Sequence, residues 1–257
     1  MCELFGVTSG RKIPVKDLLE IFYSHSEEHR SGWGLALLDR EPVLFEKESV
    51  KAADSPSLRK ILKGDVETSL CIAHIRRATI GAINADNAHP FRRSDDSGRI
   101  WTLAHNGTIF ESEILAPYQY AQKGTTDSER ILLYIMDEIN RHQRNAGAYP
   151  DEASRIRIVE EAIFRIVAGN KVNLMISDGE LFYLHINDPG TMYGKESDGG
   201  IVFSTHALES TGWTETPHNR LLVYRDGRQV YAGQSHGHTY IHDERKMRML
   251  FFEYAVL

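Results

Sequence analysis

Cys2 directly follows Met1. Removal of a methionine that precedes a small side chain is ordinary, and it would leave one residue carrying both a thiol and a free α-amine. A thiol titrating near ~8.5 is only a few per cent thiolate at neutral pH, whereas an α-amine titrating near ~8 can accept the thiol proton. Such a cysteine is a nucleophile supplied with its own base, as in enzymes with N-terminal nucleophiles. The plainer reading is an ordinary second residue, and the start of the chain does not by itself decide between the two.

Four further segments hold residue types that could bind or polarise a substrate. In Ala-His-Ile-Arg-Arg-Ala-Thr-Ile-Gly, residues 73–81, a strand period of two puts His74 and Arg76 on one face and Arg77 on the other. An arginine at a strand end can clamp a carboxylate through two parallel hydrogen bonds, or simply form a surface ion pair. Asn-Ala-His-Pro-Phe, residues 87–91, fixes His89 ahead of a proline, as a loop residue or as a pocket wall. In Leu-Ala-His-Asn-Gly-Thr-Ile, residues 103–109, Asn-Gly reads by default as a tight turn. Its functional reading is an oxyanion hole built from the Asn106 side-chain amide and the Gly107 backbone N–H. In Gly-Thr-Thr-Asp-Ser-Glu, residues 124–129, Asp127 either serves the dipole of the helix that follows or binds a substrate ammonium.

The elements that must hold these groups follow from periodicity. Leu4 to Thr8 predicts a strand that ties Cys2 to a sheet and keeps the terminus from fraying. Val15, Leu18, Leu19 and Phe22 recur at helical spacing, and Gly32 to Leu38 and Leu70 to Arg76 predict strands. Ile100 to Ala104 predicts a short strand closed by Asn106-Gly107. Thr126-Asp127-Ser128-Glu129 matches a capping box ahead of a helix carrying Ile131, Leu132, Ile135 and Ile139. A second helix is expected over residues 152–168. The last third reads entirely as strands: Lys171 to Ser177, Leu181 to His185, Gly200 to Ser204, Arg220 to Tyr224 and Gln229 to Ala232, with turns at Asp178-Gly179 and Asp226-Gly227. Two sheets covered by helices is the natural packing.

Composition narrows the class. The chain has 257 residues, enough for one large domain or two small ones, with 41% hydrophobic and 26% charged residues. It has no apolar run long enough to span a membrane and no secretory leader, so a cytoplasmic protein without a membrane partner is expected. Net charge is −6 and the arginines are scattered among acids, so no basic stripe invites nucleic acid. Two cysteines cannot form a disulfide framework, and Cys71 lies in an apolar run as a buried strand residue.

In order along the chain, Cys-Glu-Leu-Phe-Gly at the start, His-x-Arg-x-Ala-Thr-x-Gly, Asn-Ala-His-Pro, His-Asn-Gly and Thr-Asp-Ser-Glu make this sequence resemble the class II glutamine amidotransferases, glutaminases with an N-terminal nucleophile. Gly-Trp-Gly at 32–34, His-Pro-Phe at 89–91 and Leu-Met-Ile-Ser-Asp-Gly at 174–179 make it similar to the short, free-standing subgroup that lacks a synthase domain. The resemblance implies one domain over residues 2–257, with Met1 removed, folded as a four-layer αββα sandwich of two antiparallel sheets. It implies that Cys2 attacks the side-chain amide of glutamine, that Asn106 and Gly107 hold the oxyanion, and that water hydrolyses the resulting thioester. Arg76 would hold the α-carboxylate and Asp127 the α-ammonium, with Thr79 and His89 lining the pocket. No metal or other cofactor is implied. The substrate would be glutamine or another γ-glutamyl amide, and an acceptor or synthase subunit would be the protein partner; a γ-glutamyl peptide hydrolase and a partner-dependent regulatory subunit are the alternatives.

The sequence departs from better known members at Arg77, where tryptophan is common, at Ile80, where histidine often stands, and at Arg30-Ser31, in place of an Asp-Gly approach to Trp33. Two spacings suggest metal ligation instead. Cys71-x-x-His74 puts its side chains on opposite strand faces, and His236-x-His238 with His242 lacks an acidic or cysteine partner and is expected to be a solvated loop.

Overall fold

The computed structural model describes residues 2–27, 29–78, 81–110 and 112–255, with backbone only for 251–255. Its first strand, β1 (Glu3–Pro14), is longer than the predicted Leu4 to Thr8, because an irregularity between Thr8 and Ile13 lets pairing resume. β1 lies centrally in a seven-stranded antiparallel sheet with β2 (Trp33–Leu37), β3 (Leu44–Glu48), β4 (Glu67–Ile75), β9 (Tyr193–Ser197), β10 (Gly200–Ser204) and β11 (Thr214–Glu215), in the order β11-β9-β10-β1-β4-β2-β3. The second sheet has six strands: β5 (Phe91–Ser94), β6 (Ile100–Thr108), β7 (Lys171–Ser177), β8 (Phe182–Ile186), β12 (Arg220–Arg225) and β13 (Arg228–Ala232), in the order β13-β12-β8-β7-β6-β5.

The period of two sorts side chains between layers. On β1, Phe5 and Val7 turn toward α1 (Lys16–Ser24) and α2 (Pro56–Lys63), where they join Leu19, Phe22 and Leu58. Leu4 turns the other way, into the layer between the sheets, with Ile72, Ala104, Met175, Phe182 and Phe203. Gly6 makes this close approach feasible, since a Cβ there would lie 2.7 Å from the Phe182 ring. The second sheet covers its outer face with α3 (Asp127–Ala146) and α4 (Glu152–Val167) through Leu103, Ile131, Ile135, Val159 and Ile163. The result is the expected αββα sandwich of two antiparallel sheets.

Several local expectations need correction. Asn106-Gly107 does not close a hairpin: both residues continue β6 and pair with Asn173 and Val172 of β7. β8 begins at Phe182 rather than Leu181. The last third also contains a helix, α5 (Glu244–Ala255). No helix among the described residues is long and apolar enough to cross a membrane.

Candidate active site

β1 and β6 face one another across the two sheets, and alternation aligns their chemistry. Leu4 on β1 and Ala104 on β6 lie in the inter-sheet layer, so Cys2 and Asn106, two residues away on each strand, project to the same side. Cys2 is half-buried. Its Sγ lies 3.4 Å from the Arg77 carbonyl, to which the thiol donates, and 3.4 Å from the Arg77 N–H, which donates to sulfur. Burial pushes the thiol pKa up, while the Arg77 N–H and the Arg76 charge pull it down. The Asn106 Nδ2 is buried without a hydrogen-bond partner.

The backbone of β6 then decides where Gly107 points. β5 pairs with β6 only as far as Phe91 opposite Leu103, so among the described residues the following stretch of that edge has no strand neighbour. On this open edge the His105 N–H donates to His89 Nδ1 at 3.2 Å, and the Ile109 N–H donates to Asp127 Oδ2 at 2.7 Å. Gly107 lies between them in a two-residue repeat, so its N–H leaves the strand on the same side, away from β7. It opens onto a cavity also lined by Cys2, Arg76, His89, Thr126 and Asp127. The cavity volume is about 30 Å³, room for about one water.

The charged groups expected at the site are present on this wall. Arg76 is 2% exposed and donates from Nη1 to the Ala82 carbonyl at 3.0 Å, while its backbone N–H bonds to the Gly32 carbonyl at 2.8 Å. Burial lowers its pKa, against the pull of Cys2 and Asp127. Asp127 opens α3, but the predicted capping box does not form. Thr126 makes no side-chain cap, and its hydroxyl is buried without a partner. Glu129 instead accepts from the Lys123 and Gly124 N–H groups at 3.0 and 2.9 Å and pairs with Arg93. Thr79 and Ile80 lie outside the described residues. Arg77 is exposed, and Ser31 joins the 76–78 segment through its N–H to the Arg76 carbonyl and its hydroxyl to the Ala78 N–H, each at 3.1 Å.

His89 is a pocket residue, not a free loop histidine. It packs against His74 with ring centroids 4.1 Å apart and the ring planes tilted by 34°, and because its Nδ1 accepts from His105, the neutral ring carries its proton on Nε2. Burial drives the pKa of both rings well below the usual histidine value. Cys71 and His74 lie on opposite faces of β4, Cys71 in the layer beneath α1 and α2. The tail also needs a correction: His236 is not simply solvated, since its Nε2 lies 2.9 Å from His185 Nε2 and burial lowers its pKa to about 4. Among the described residues no group of three or more His, Cys, Asp or Glu side chains is placed to hold a metal ion.

Sequence reasoning missed three supports of the site. Lys47 on β3 donates to the Ala88 carbonyl at 2.8 Å and lies over the Phe91 ring, holding the 87–91 segment. Ser128 and His105 contact one another beneath Asp127, with Nδ1 and Oγ 2.9 Å apart. Glu3 is buried, with His25 Nδ1 at 2.8 Å and His29 and His206 nearby. Ser128 and His105 stand inside recognised motifs, but only their partners reveal a role. Lys47 and the Glu3 histidines carry no local signal.

Comparison with known proteins gives the family. Residues 1–193 match the class II glutamine amidotransferases as a family. An uncharacterized protein of Methanocaldococcus jannaschii is 26% identical, over 91% of this chain and 72% of its own length. A Haemophilus influenzae protein provisionally named a glutamine amidotransferase is 23% identical, over 90% of this chain and 86% of its own. Among solved structures, the glutamine phosphoribosylpyrophosphate amidotransferase of B. subtilis matches with a TM-score of 0.66 at 15% identity, over 92% of this chain and 50% of that one, a likeness of fold. With the family matched over its first 193 residues and relatives spanned over most of their length, this chain belongs to the class II glutamine amidotransferases.

Proposed function

We propose that this chain is one catalytic domain which, after loss of Met1, hydrolyses the side-chain amide of glutamine to glutamate and ammonia. Cys2 Sγ attacks the amide carbon while the Cys2 α-amine takes the thiol proton, directly or through a water. The oxyanion of the tetrahedral intermediate accepts from Asn106 Nδ2 and the Gly107 N–H. The C–N bond then breaks as the amine returns its proton to the departing ammonia. Water attacks the γ-glutamyl thioester through the same oxyanion hole, releasing glutamate and restoring the thiol. Arg76 holds the α-carboxylate and Asp127 the α-ammonium, with Thr79 and His89 completing the pocket. The reaction takes place in the cytoplasm, and the ammonia is released or taken up by an acceptor or synthase subunit.

The observation that carries this reading is the Gly107 N–H leaving the open edge of β6 into the cavity lined by Cys2, next to an Asn106 amide that is buried and unbonded. The test compares a Met1-free protein with one bearing an N-terminal extension, which turns the base into an amide. Mass spectrometry of the first should show a covalent adduct of an electrophilic glutamine analogue on Cys2, and glutamate release from glutamine. The extended protein should fold but do neither. Equal activity in both would overturn the reading, and turnover of γ-glutamyl peptides but not glutamine would reassign the substrate.

A further inference from the structure

The protons around Asp127 do not suffice for the acceptors gathered there. His105 Nε2 lies 3.0 Å from the Lys171 carbonyl, which can only accept, so Nε2 carries a proton. Burial favours the neutral ring over the pull of Asp127, which leaves Nδ1 a lone pair facing Ser128 Oγ at 2.9 Å. The Ser128 hydroxyl has one proton, and it faces a second acceptor, Asp127 Oδ1, at 3.2 Å. Asp127 Oδ2 is already paired with the Ile109 N–H. If the hydroxyl points to His105, two lone-pair oxygens oppose each other at 3.2 Å; if it points to Asp127, His105 Nδ1 is buried without a donor. Either way the cluster is one donor short among the described residues, and Asp127, Ser128 and His105 all line the cavity of Cys2.

We propose that Ser128 Oγ is a second acceptor for the substrate α-ammonium beside Asp127, and that His105 is the positioning residue that turns the hydroxyl proton away from it. This rests on the glutaminase reading above. The ammonium donates to Asp127 Oδ1 and to Ser128 Oγ, Ser128 donates to His105 Nδ1, and His105 Nε2 donates to the Lys171 carbonyl. Each acceptor of the Asp127, Ser128 and His105 cluster then faces a donor. A substrate without the α-amine leaves either the two oxygens opposed or His105 Nδ1 without a donor, so the cluster selects a protonated α-amine through a buried acceptor that nothing else on the substrate can satisfy.

The test measures kcat/KM for L-glutamine and for glutaramate, the same chain without the α-amine, in the wild type, Ser128→Ala and Ser128→Thr. The wild-type preference for L-glutamine should fall on the order of tenfold in Ser128→Ala, the share of one charge-assisted hydrogen bond, and return in Ser128→Thr. Nitrogen-15 NMR of a Cys2→Ala protein bound to L-glutamine should show His105 neutral and protonated on Nε2, with the Nδ1 resonance of a bonded acceptor that shifts toward an unbonded one in Ser128→Ala. Equal losses for both substrates would mark a packing role and overturn the inference, as would a doubly protonated His105. If the wild type turns over neither substrate and the Cys2→Ala protein binds neither, the glutaminase reading has failed first and this inference falls with it.

Discussion

Cys2 sits where burial disfavours its thiolate, and the single Arg77 N–H on its sulfur offsets only part of that cost. A nucleophile so placed, the role proposed for Cys2, needs a base beside it and compensation for the charge that develops next. That second role is assigned to Asn106. Replacing it with alanine should lower kcat about a hundredfold while leaving KM for glutamine nearly unchanged, because the amide acts on the oxyanion and not on the ground state. Steady-state kinetics check this, and a rise in KM with kcat intact would return Asn106 to a structural role. Lys47 offers a test through pH. Burial lowers its pKa from 10.5 to about 8, so between these values the folded protein holds fewer protons than the unfolded one. Stability from this group is therefore present above the higher value and is lost as pH falls through the lower. Urea unfolding from pH 7.5 to 10 should show the wild type gaining on the order of 2 kcal/mol relative to Lys47→Met.

At the scale of elements, the site is a consequence of strands that stop short. β5 ends its pairing at Leu103 and frees the edge of β6 that His89, the cavity and Asp127 then share. The 87–91 segment can lie against β2 only because residue 34 has no side chain. A Cβ at Gly34 would fall 2.0 Å from the His89 carbonyl oxygen, a backbone atom that cannot move without carrying the His89 ring with it. Gly34→Ala should therefore destabilise by ~2 kcal/mol or more, in the range of overpacked sites, and also raise KM for glutamine. Gly64→Ala is the control, since its nearest neighbour would be 3.8 Å away and its φ is −87°. Urea melts and kinetics on the two variants should separate them; matching behaviour would show that the segment tolerates displacement.

At the scale of the molecule, the layer between the sheets holds β1 opposite β6, and with them Cys2 opposite Asn106 and Gly107, the proposed nucleophile and its proposed oxyanion donors. Phe182 is fully buried there, against Gly6 and stacked on Phe203 with centroids 5.8 Å apart, yet it does not line the cavity. Phe182→Ala should cost about 3–5 kcal/mol, the usual range for losing a buried aromatic ring. Since the ring is not among the residues that line the cavity, KM for glutamine should stay near the wild-type value at temperatures where the variant is folded. A large change in KM at low temperature, with the fold intact by circular dichroism, would show that sheet spacing controls the site.

The sequence by itself determined which chemical groups this protein has and how they alternate. Cys2 ahead of a strand, His74 opposite in face to Cys71, Asp127 at a helix start and the apolar periods of α3 and α4 are local properties, set by side-chain type and by strand and helix geometry. Tertiary structure decided which polar atoms are free. Asn-Gly is turn-prone in isolation, but pairing with Val172 and Asn173 keeps Asn106 and Gly107 extended, and only the end of β5 shows which side the Gly107 N–H serves. Glu129 has the right spacing for a capping box, yet Arg93, 36 residues earlier, recruits its carboxylate. Ser128 has no role legible in the chain until the Lys171 carbonyl, from another strand, fixes the proton of His105 and leaves its Nδ1 facing the Ser128 hydroxyl. A hydrogen-bond partner distant in sequence leaves no local period or spacing to read, which is why the motifs were visible in the chain and their wiring was not.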